Sequence, residues 1–314
     1  MRPLMLLDTA SLYFRAFYGV PDRSGPGETP RNAVTGLVDM MATLVETHRP
    51  SGVVACWDDD WRPAFRVEAI PTYKAHRVAE GSVHEGAPGG AAEEVPEALS
   101  VQVPVIVELL AAIGVPRIGH AGFEADDVIG TLTTRAIQAG RPVLVVTGDR
   151  DLFQLVDDAA GVRVLYTARG GVRGGDVVDE RFLRDTYGVD GGAGYADLAL
   201  LRGDPSDGLP GVKGIGEKTA VRLLEQYGSV AALQEALAAG EAPAGALGRK
   251  LAESGDYLDR ARPVVLVARD IPLEGPVDGG VPEHVADPAA LARLVESHRL
   301  TGVPRLLTAL GIRP

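Results

Sequence analysis

Short apolar runs that end in carboxylates recur along the first half of the chain. Residues 3–7 run into Asp8, residues 53–57 into Asp58-Asp59-Asp60, and Val143–Thr147 into Gly148-Asp149-Arg150-Asp151. A short unbroken apolar run bounded by turn signals reads as a strand buried on both faces, as in a parallel sheet. Residues 115–118 and Val162–Tyr166 predict two more strands. Between them the apolar spacing turns helical. Leu37, Met40, Met41, Leu44 and Val45 predict a helix over residues 33–47. Leu99, Val103, Ile106, Leu109 and Leu110 predict one over 97–113, with Pro104 marking a kink or its true start. Val128, Ile129, Leu132 and Ile137 line another that opens at Glu124, and Leu152, Phe153 and Leu155 begin one after Asp151. Strands alternating with helices predict an α/β fold with a parallel sheet, and in such sheets ligands bind outside the carboxyl ends of the strands.

The connecting stretches differ in character. Residues 21–30 are a Gly/Pro-rich loop, and residues 78–95, rich in Gly, Ala and Glu without an apolar period, read as a mobile loop. Gly170-Gly171 predicts a hairpin turn and residues 179–187 a helix. In residues 198–225, Gly211 and Gly216 have the separation of a P-loop, but Glu217 stands where the lysine must be and no apolar strand precedes Gly211. That excludes a nucleotide-binding loop and leaves helix, glycine hairpin, helix. Such a hairpin aims backbone N–H groups outward at a helix N-terminus, a site for a DNA phosphate without sequence readout. Beyond Tyr227, residues 230–237, 247–251 and 291–300 predict small helices, 264–267 a strand or extended segment, and 274–282 a loop.

Composition narrows the class. With 314 residues, 46% hydrophobic and 24% charged, the chain is long enough for one large or two modest globular domains. The single cysteine, Cys56, excludes an internal disulfide and a multi-cysteine zinc site. No stretch approaches the apolar length of a membrane span, and a cytoplasmic enzyme with no membrane partner is the expectation. A net charge of −12 argues against nucleic acid at first sight. Acids gathered around divalent ions would be offset by them, so local basic patches matter more than the sum.

The acids are indeed gathered. Asp8, Asp58–Asp60, the cluster Glu124, Asp126 and Asp127, and the pair Asp149 and Asp151 come from four separate segments, three of them at strand ends. Asp204 and Asp207 arrive before the hairpin. Each alone could be a helix cap or a macrodipole partner. Together on one sheet edge they repel unless cations lie between them. Oxygen ligands without cysteine or histidine pairs favour Mg²⁺ or Mn²⁺ over zinc. Two such ions can activate a water and stabilise the leaving oxygen of a phosphodiester. Residues 61–77 add Arg62, Arg66, Lys74, His76 and Arg77 interleaved with Phe65 and Tyr73, a mix suited to phosphate contacts and base stacking, or to a solvated amphipathic segment. Nucleic-acid hydrolysis is the reaction this combination predicts.

LLDTASLYFRAFY, FRVEAIPTYKAHR, EADDVIGTLTTRAIQAG, VLVVTGDRDLFQLV and LLRGDPSDGLPGVKGIGEKTA, read in order over about residues 4–230, resemble the motif series of the 5′→3′ exonuclease/flap endonuclease family, which includes the N-terminal nuclease domain of bacterial DNA polymerase I. The resemblance implies a PIN-like (resolvase-like) α/β nuclease core with a mainly parallel sheet over residues 1–180, with an arch or clamp at about 73–104. It also implies a C-terminal helical DNA-binding region over 181–314, with a helix-3-turn-helix (helix-hairpin-helix) element at about 198–228. One metal group would be Asp8, Glu124 and Asp126 with an acid of the 58–60 run. The other would be Asp149, Asp151, Asp204 and Asp207, with Asp127 between the groups. Counting back from Phe65-Arg66 selects Asp59, whereas the strand pattern through Trp57 selects Asp58, which strand geometry favours.

Lys74 and Arg77 would steer the scissile phosphate and Tyr73 would stack on the adjacent base. Gly211, Gly214 and Gly216 would contact the duplex, with a K⁺ ion shared at the hairpin, and Arg15, His76, Lys213, Lys218 and Thr219 would complete the DNA-binding set. The implied activity is a 5′→3′ exonuclease and flap endonuclease using two or more Mg²⁺ or Mn²⁺ ions in replication or repair. Its substrates would be DNA 5′ ends, flaps and nicks, RNA-primed ends included, and it would act as a monomer. The chain ends at Pro314 without a polymerase domain, as a stand-alone member would. The stretch after Arg77 is longer, more acidic and poorer in lysine than a typical arch. A PIN-type ribonuclease and a non-catalytic structure-specific DNA-binding protein are the rival readings; the first would not need the hairpin, and the second would gain by losing charge that repels phosphate.

Overall fold

The computed structural model describes residues 1–25, 27–78, 93–241, 243, 245–273 and 279–313. Most of the expected mobile loop at 78–95, and with it much of the expected arch at 73–104, lies outside the described residues. So does part of the 274–282 loop.

Six strands form one sheet: β1 (Leu4–Asp8), β2 (Gly52–Cys56), β3 (Arg117–Ile118), β4 (Val143–Thr147), β5 (Val162–Tyr166) and β6 (Asp176–Val178). Their order is β3-β2-β1-β4-β5-β6, parallel throughout except for β6, which pairs antiparallel with β5. Side chains alternate between faces along a strand, and in β1 both faces are covered. Leu4 and Leu6 join Val54 and Val145 in one core cluster, while Met5 and Leu7 join Val53, Ala55 and Val146 in the other. Two-sided burial is why these strands read as unbroken apolar runs rather than as alternating ones.

The helix Ala125–Gln138 covers one face through Val128, Ile129 and Leu132, together with the helices Gly191–Arg202, Glu217–Tyr227 and Gly255–Val265. On the other face, Asn32–His48 and Val103–Ile113 pack with Pro288–His298 and Val303–Leu310. Chain order and packing therefore part company at the C-terminus. Leu291, Leu294, Leu306 and Leu307 share a cluster with Leu37, Met41 and Leu109. The last two helices thus belong to the core's far layer and not to the hairpin region expected over 181–314.

Local departures have local causes. The helix expected over 97–113 is two, Glu97–Ser100 and Val103–Ile113, with Pro104 in the first turn of the second, where its missing N–H costs nothing. The turn after Asp151 is a short 3-10 helix, Asp151–Leu155, and not an α-helix. Residues 264–267 are the end of the helix Gly255–Val265 followed by extended chain. Among the described residues no helix is long and apolar enough to cross a membrane.

From β1 the chain steps outward through β2 to β3, then returns to the other side of β1 with β4. The order reverses between β1 and β4, so a crevice opens beyond their carboxyl ends. Asp8 and Asp149 sit there.

Candidate active site

A cavity of about 350 Å³ opens at this edge, lined by Asp8, Asp58, Glu124, Asp126, Asp149 and Glu93 on the acidic side and by Lys74 and Arg77 on the basic side. Ser11, Phe14, Trp61 and Gly148 fill in its walls. Each acid is held by the element it terminates. Asp8 ends β1 and caps the helix Thr9–Gly19. Its Oδ1 accepts the Ser11 N–H at 3.1 Å and its Oδ2 accepts the Thr147 hydroxyl at 2.7 Å. The Thr147 hydroxyl in turn accepts the Asp149 N–H at 2.8 Å, linking the two acids across the switch point. Asp58 follows β2 and accepts the Ala125 N–H at 2.9 Å, which ties it to the helix bearing Asp126. Glu124 caps that helix.

A second group adjoins the first. Asp151 follows Asp149, whose Oδ1 accepts the Asp151 N–H at 2.9 Å. Asp204 caps and Asp207 ends a single 3-10 turn, Pro205–Asp207, and both are buried. The Arg77 Nη2 donates to Asp207 Oδ1 at 2.8 Å, and the Lys74 N–H donates to the Asp207 carbonyl at 3.0 Å. The segment carrying Lys74 and Arg77 is thus docked on the loop that carries the second acids. Gly208 permits this: at φ +74°, it presents only hydrogen to the Thr72 carbonyl, where a Cβ would collide.

Electrostatics follow from this crowding. Burial, then Asp58 and Asp149, push Asp8 up to about 7. Burial, then Asp149, Asp8 and Glu124, raise Asp126 well above the carboxylate range. Burial, then Asp149, Asp207 and Asp204, do the same to Asp151. Asp149 therefore acts on both groups. Burial opposes the charge on Lys74, but Glu124 outweighs it at 2.7 Å and holds the ammonium form more firmly than usual. This donor set is entirely oxygen, poorly neutralised and open to solvent, which fits hard divalent cations. No three Asp, Glu, His or Cys side chains among the described residues are drawn into a ready-made ion cage. The reason is visible in the bonds above, since several of these carboxylate oxygens are turned to internal donors.

Several residues expected in the site stand elsewhere. Asp59 points away from it, bonding Arg117 at 2.5 Å beside Gly119, so the strand geometry that favours Asp58 describes the cavity. Asp127 is fully buried between Arg66 and the Ala268 N–H and does not line the cavity. Arg66, read from sequence as part of a basic patch, is 2% exposed. Tyr73 cannot stack on a base: it is 3% exposed and its hydroxyl donates to Glu124 at 2.8 Å. Gly211 is also withdrawn, with its N–H on the Tyr257 hydroxyl at 2.9 Å. Arg15 lies beside the cavity, donating to the Thr167 carbonyl. His76 is exposed at the rim segment. Lys213, Gly214, Gly216 and Lys218 are exposed and Thr219 half-buried, around the start of the helix Glu217–Tyr227.

Sequence reasoning missed Thr147, Ser11, Phe14, Trp61 and Glu93. A threonine ending an apolar strand and a serine three residues after an acid are the signals that could have found the first two. Glu93 had none, because it reaches the cavity through a bridge between residues 78 and 93 that spacing does not announce.

Comparison with known proteins gives the family and the fold. Residues 3–188 match the family model for the 5′-3′ exonuclease N-terminal resolvase-like domain, and residues 192–286 that for the 5′-3′ exonuclease C-terminal SAM fold. A 5′-3′ exonuclease of Streptomyces coelicolor is 58% identical over 310 residues, covering 98% of this chain and 99% of that one. A DNA polymerase I of Mycobacterium bovis is 38% identical over 272 residues, 86% of this chain but 28% of the polymerase. In fold, the chain is similar to the phage T5 D15 flap endonuclease solved as a pseudo-enzyme–product complex with DNA and metal ions, at a TM-score of 0.63 and 19% identity, covering 98% and 96% of the two chains.

Proposed function

Since the chain belongs to the 5′-3′ exonuclease family, we propose that it is a divalent-metal-dependent 5′→3′ exonuclease and structure-specific 5′-flap endonuclease of DNA, serving replication or repair. The observation that carries this reading is the convergence of Asp8, Asp58, Glu124, Asp126 and Asp149 on one switch-point cavity faced by Lys74 and Arg77. Asp8, Asp58, Glu124 and Asp126 would hold one ion, and Asp149, Asp151, Asp204 and Asp207 the other, with Mg²⁺ or Mn²⁺ favoured by the all-oxygen set. Such ions, when bound, make water a stronger nucleophile and neutralise charge on the phosphodiester oxygens.

The chain's own residues do the rest. Lys74 and Arg77 present two cations at the cavity, held in place by Glu124 and Asp207, to position the scissile phosphate. Lys213 and Lys218, beside the outward backbone of Gly214 and Gly216, suit a duplex phosphate and a K⁺ ion at the same turn. Substrates are DNA with 5′ ends, flaps or nicks, RNA-primed ends among them, cut by a monomer. Bacterial DNA lies in the cytoplasm, which is where the enzyme would act.

The test is a 5′-labelled flap and a nicked duplex, each with Mg²⁺ and with Mn²⁺, resolving product lengths beside a matched RNA flap. The reading requires metal-dependent cutting of the DNA substrates. Cleavage of the RNA flap alone would make the protein a ribonuclease, and no metal-dependent product would contradict the nuclease reading.

A further inference from the structure

We propose that residues 264–268, the last two residues of a helix and the extended chain that follows, are a spacer that sets the distance between the two acid groups, and that Gln154 is the positioning residue through which it fixes the second of them. The proposal rests on the reading of those acids as metal ligands.

Three buried polar side chains hold the spacer. On the side of the first group, Asp127 accepts the Ala268 N–H at 2.8 Å, while Arg66 grips Asp127 and donates through Nε to the Val264 carbonyl at 3.2 Å. Asp127 also accepts the Glu124 N–H at 3.2 Å, so the same carboxylate touches both the spacer and the cap of the acid-bearing helix. On the side of the second group stands Gln154, 4% exposed. Its Nε2 donates to the Asp151 carbonyl at 2.8 Å and to the Val265 carbonyl at 2.9 Å, and its Oε1 accepts the Val267 N–H at 3.0 Å.

Only a primary amide supplies two donors and an acceptor in this shape. Val264 and Ala268, at the ends of the spacer, are thus pinned on the side of the first group, and Val265 and Val267, between them, on the side of the second, within five residues of chain. The backbone there also lies hard on the helix Ala125–Gln138, where a Cβ on Gly130 would stand 2.5 Å from the Ala268 carbonyl oxygen. Upstream, the spacer continues the helix Gly255–Val265, whose Tyr257 accepts the Gly211 N–H of the hairpin. The spacing of the acids is therefore continuous with the element proposed to meet duplex DNA.

Partners that orient metal ligands typically change metal affinity or activity by about 10–100-fold when lost. Gln154→Met keeps the volume and removes all three bonds. Gln154→Glu keeps the acceptor for Val267 but loses the amide donors to the Asp151 and Val265 carbonyls. Arg135→Met, which releases the Ile271 and Leu273 carbonyls further along the same strand of chain, is the control for mere loosening. Mn²⁺ binding is followed by the free-ion paramagnetic resonance signal, alongside kcat, KM and the half-saturating Mg²⁺ on a 5′-flap duplex.

The expected result is Mn²⁺ binding weakened roughly tenfold or more in both Gln154 variants, with a lower kcat, a higher half-saturating Mg²⁺ and KM for DNA unchanged. Arg135→Met should lose thermal stability with Mn²⁺ binding intact. Wild-type Mn²⁺ binding in either folded Gln154 variant overturns the proposal. Wild-type protein that cuts no DNA would overturn the nuclease reading instead, and the Mn²⁺ curves would still decide this one.

Discussion

Arg66 holds Asp127 with both arms of its guanidinium, Nη1 to Oδ2 and Nη2 to Oδ1 at 2.7 Å each. Both side chains are essentially closed to solvent. Burial works against the guanidinium charge, but the Glu124 and Asp127 carboxylates outweigh it, and Arg66 stays firmly protonated. Removing one partner of such a pair strands the other in a low-dielectric site, at a cost of about 3–5 kcal/mol. Arg66→Met should lower the urea-unfolding free energy by that order. A variant as stable as wild type would contradict the network.

Tyr73 offers a sharper separation of roles. If it stacked on a base, Tyr73→Phe would keep the ring and cost little. Because its hydroxyl donates to Glu124 in the interior, the loss of that bond should lower kcat while KM for DNA holds. Unchanged kcat would contradict a positioning role for the Tyr73 hydroxyl.

The strands and the acids at their ends were legible because two-sided burial leaves unbroken apolar runs and their carboxyl ends share an edge. Asp8 and Asp149 could be placed at the cavity on that basis alone. What spacing could not show was which acid of a cluster turns inward. Asp58 and Asp59 are neighbours, yet one is held by the Ala125 N–H and the other drawn off by Arg117. The burial of Arg66 and Tyr73 was hidden for a related reason. A basic aromatic stretch looks alike whether its partners are phosphates or buried carboxylates, and Glu124 and Asp127 lie about fifty to sixty residues further along the chain.

Gly208 tests the docking of the Lys74–Arg77 segment. At φ +74°, with a Cβ directed into the Thr72 carbonyl, Gly208→Ala must shift one backbone or the other. We expect a stability loss of about 1 kcal/mol or more and a larger fall in flap cleavage than in duplex binding. Equal activity would show that the segment tolerates displacement.

Metal should stabilise the folded protein. Carboxylates that repel one another across the cavity are relieved by a bound cation, so Mg²⁺ added to chelator-treated protein should raise Tm. Each tenfold rise above Kd contributes about 1.4 kcal/mol. Asp151→Asn should blunt that response. An identical Tm with chelator and with millimolar Mg²⁺ would count against an ion site here.

The most direct measurement is single-turnover cleavage of a 5′-labelled flap by wild type and by Asp149→Asn in saturating Mg²⁺, with Tm and duplex Kd recorded for both. Asp149 lines the cavity and acts on both acid groups. The account predicts that wild type cuts, that the variant falls to the rate seen without metal, and that the Tm in chelator and the duplex Kd are preserved. Full cleavage by Asp149→Asn would contradict the assignment of this cavity as the metal-dependent active site.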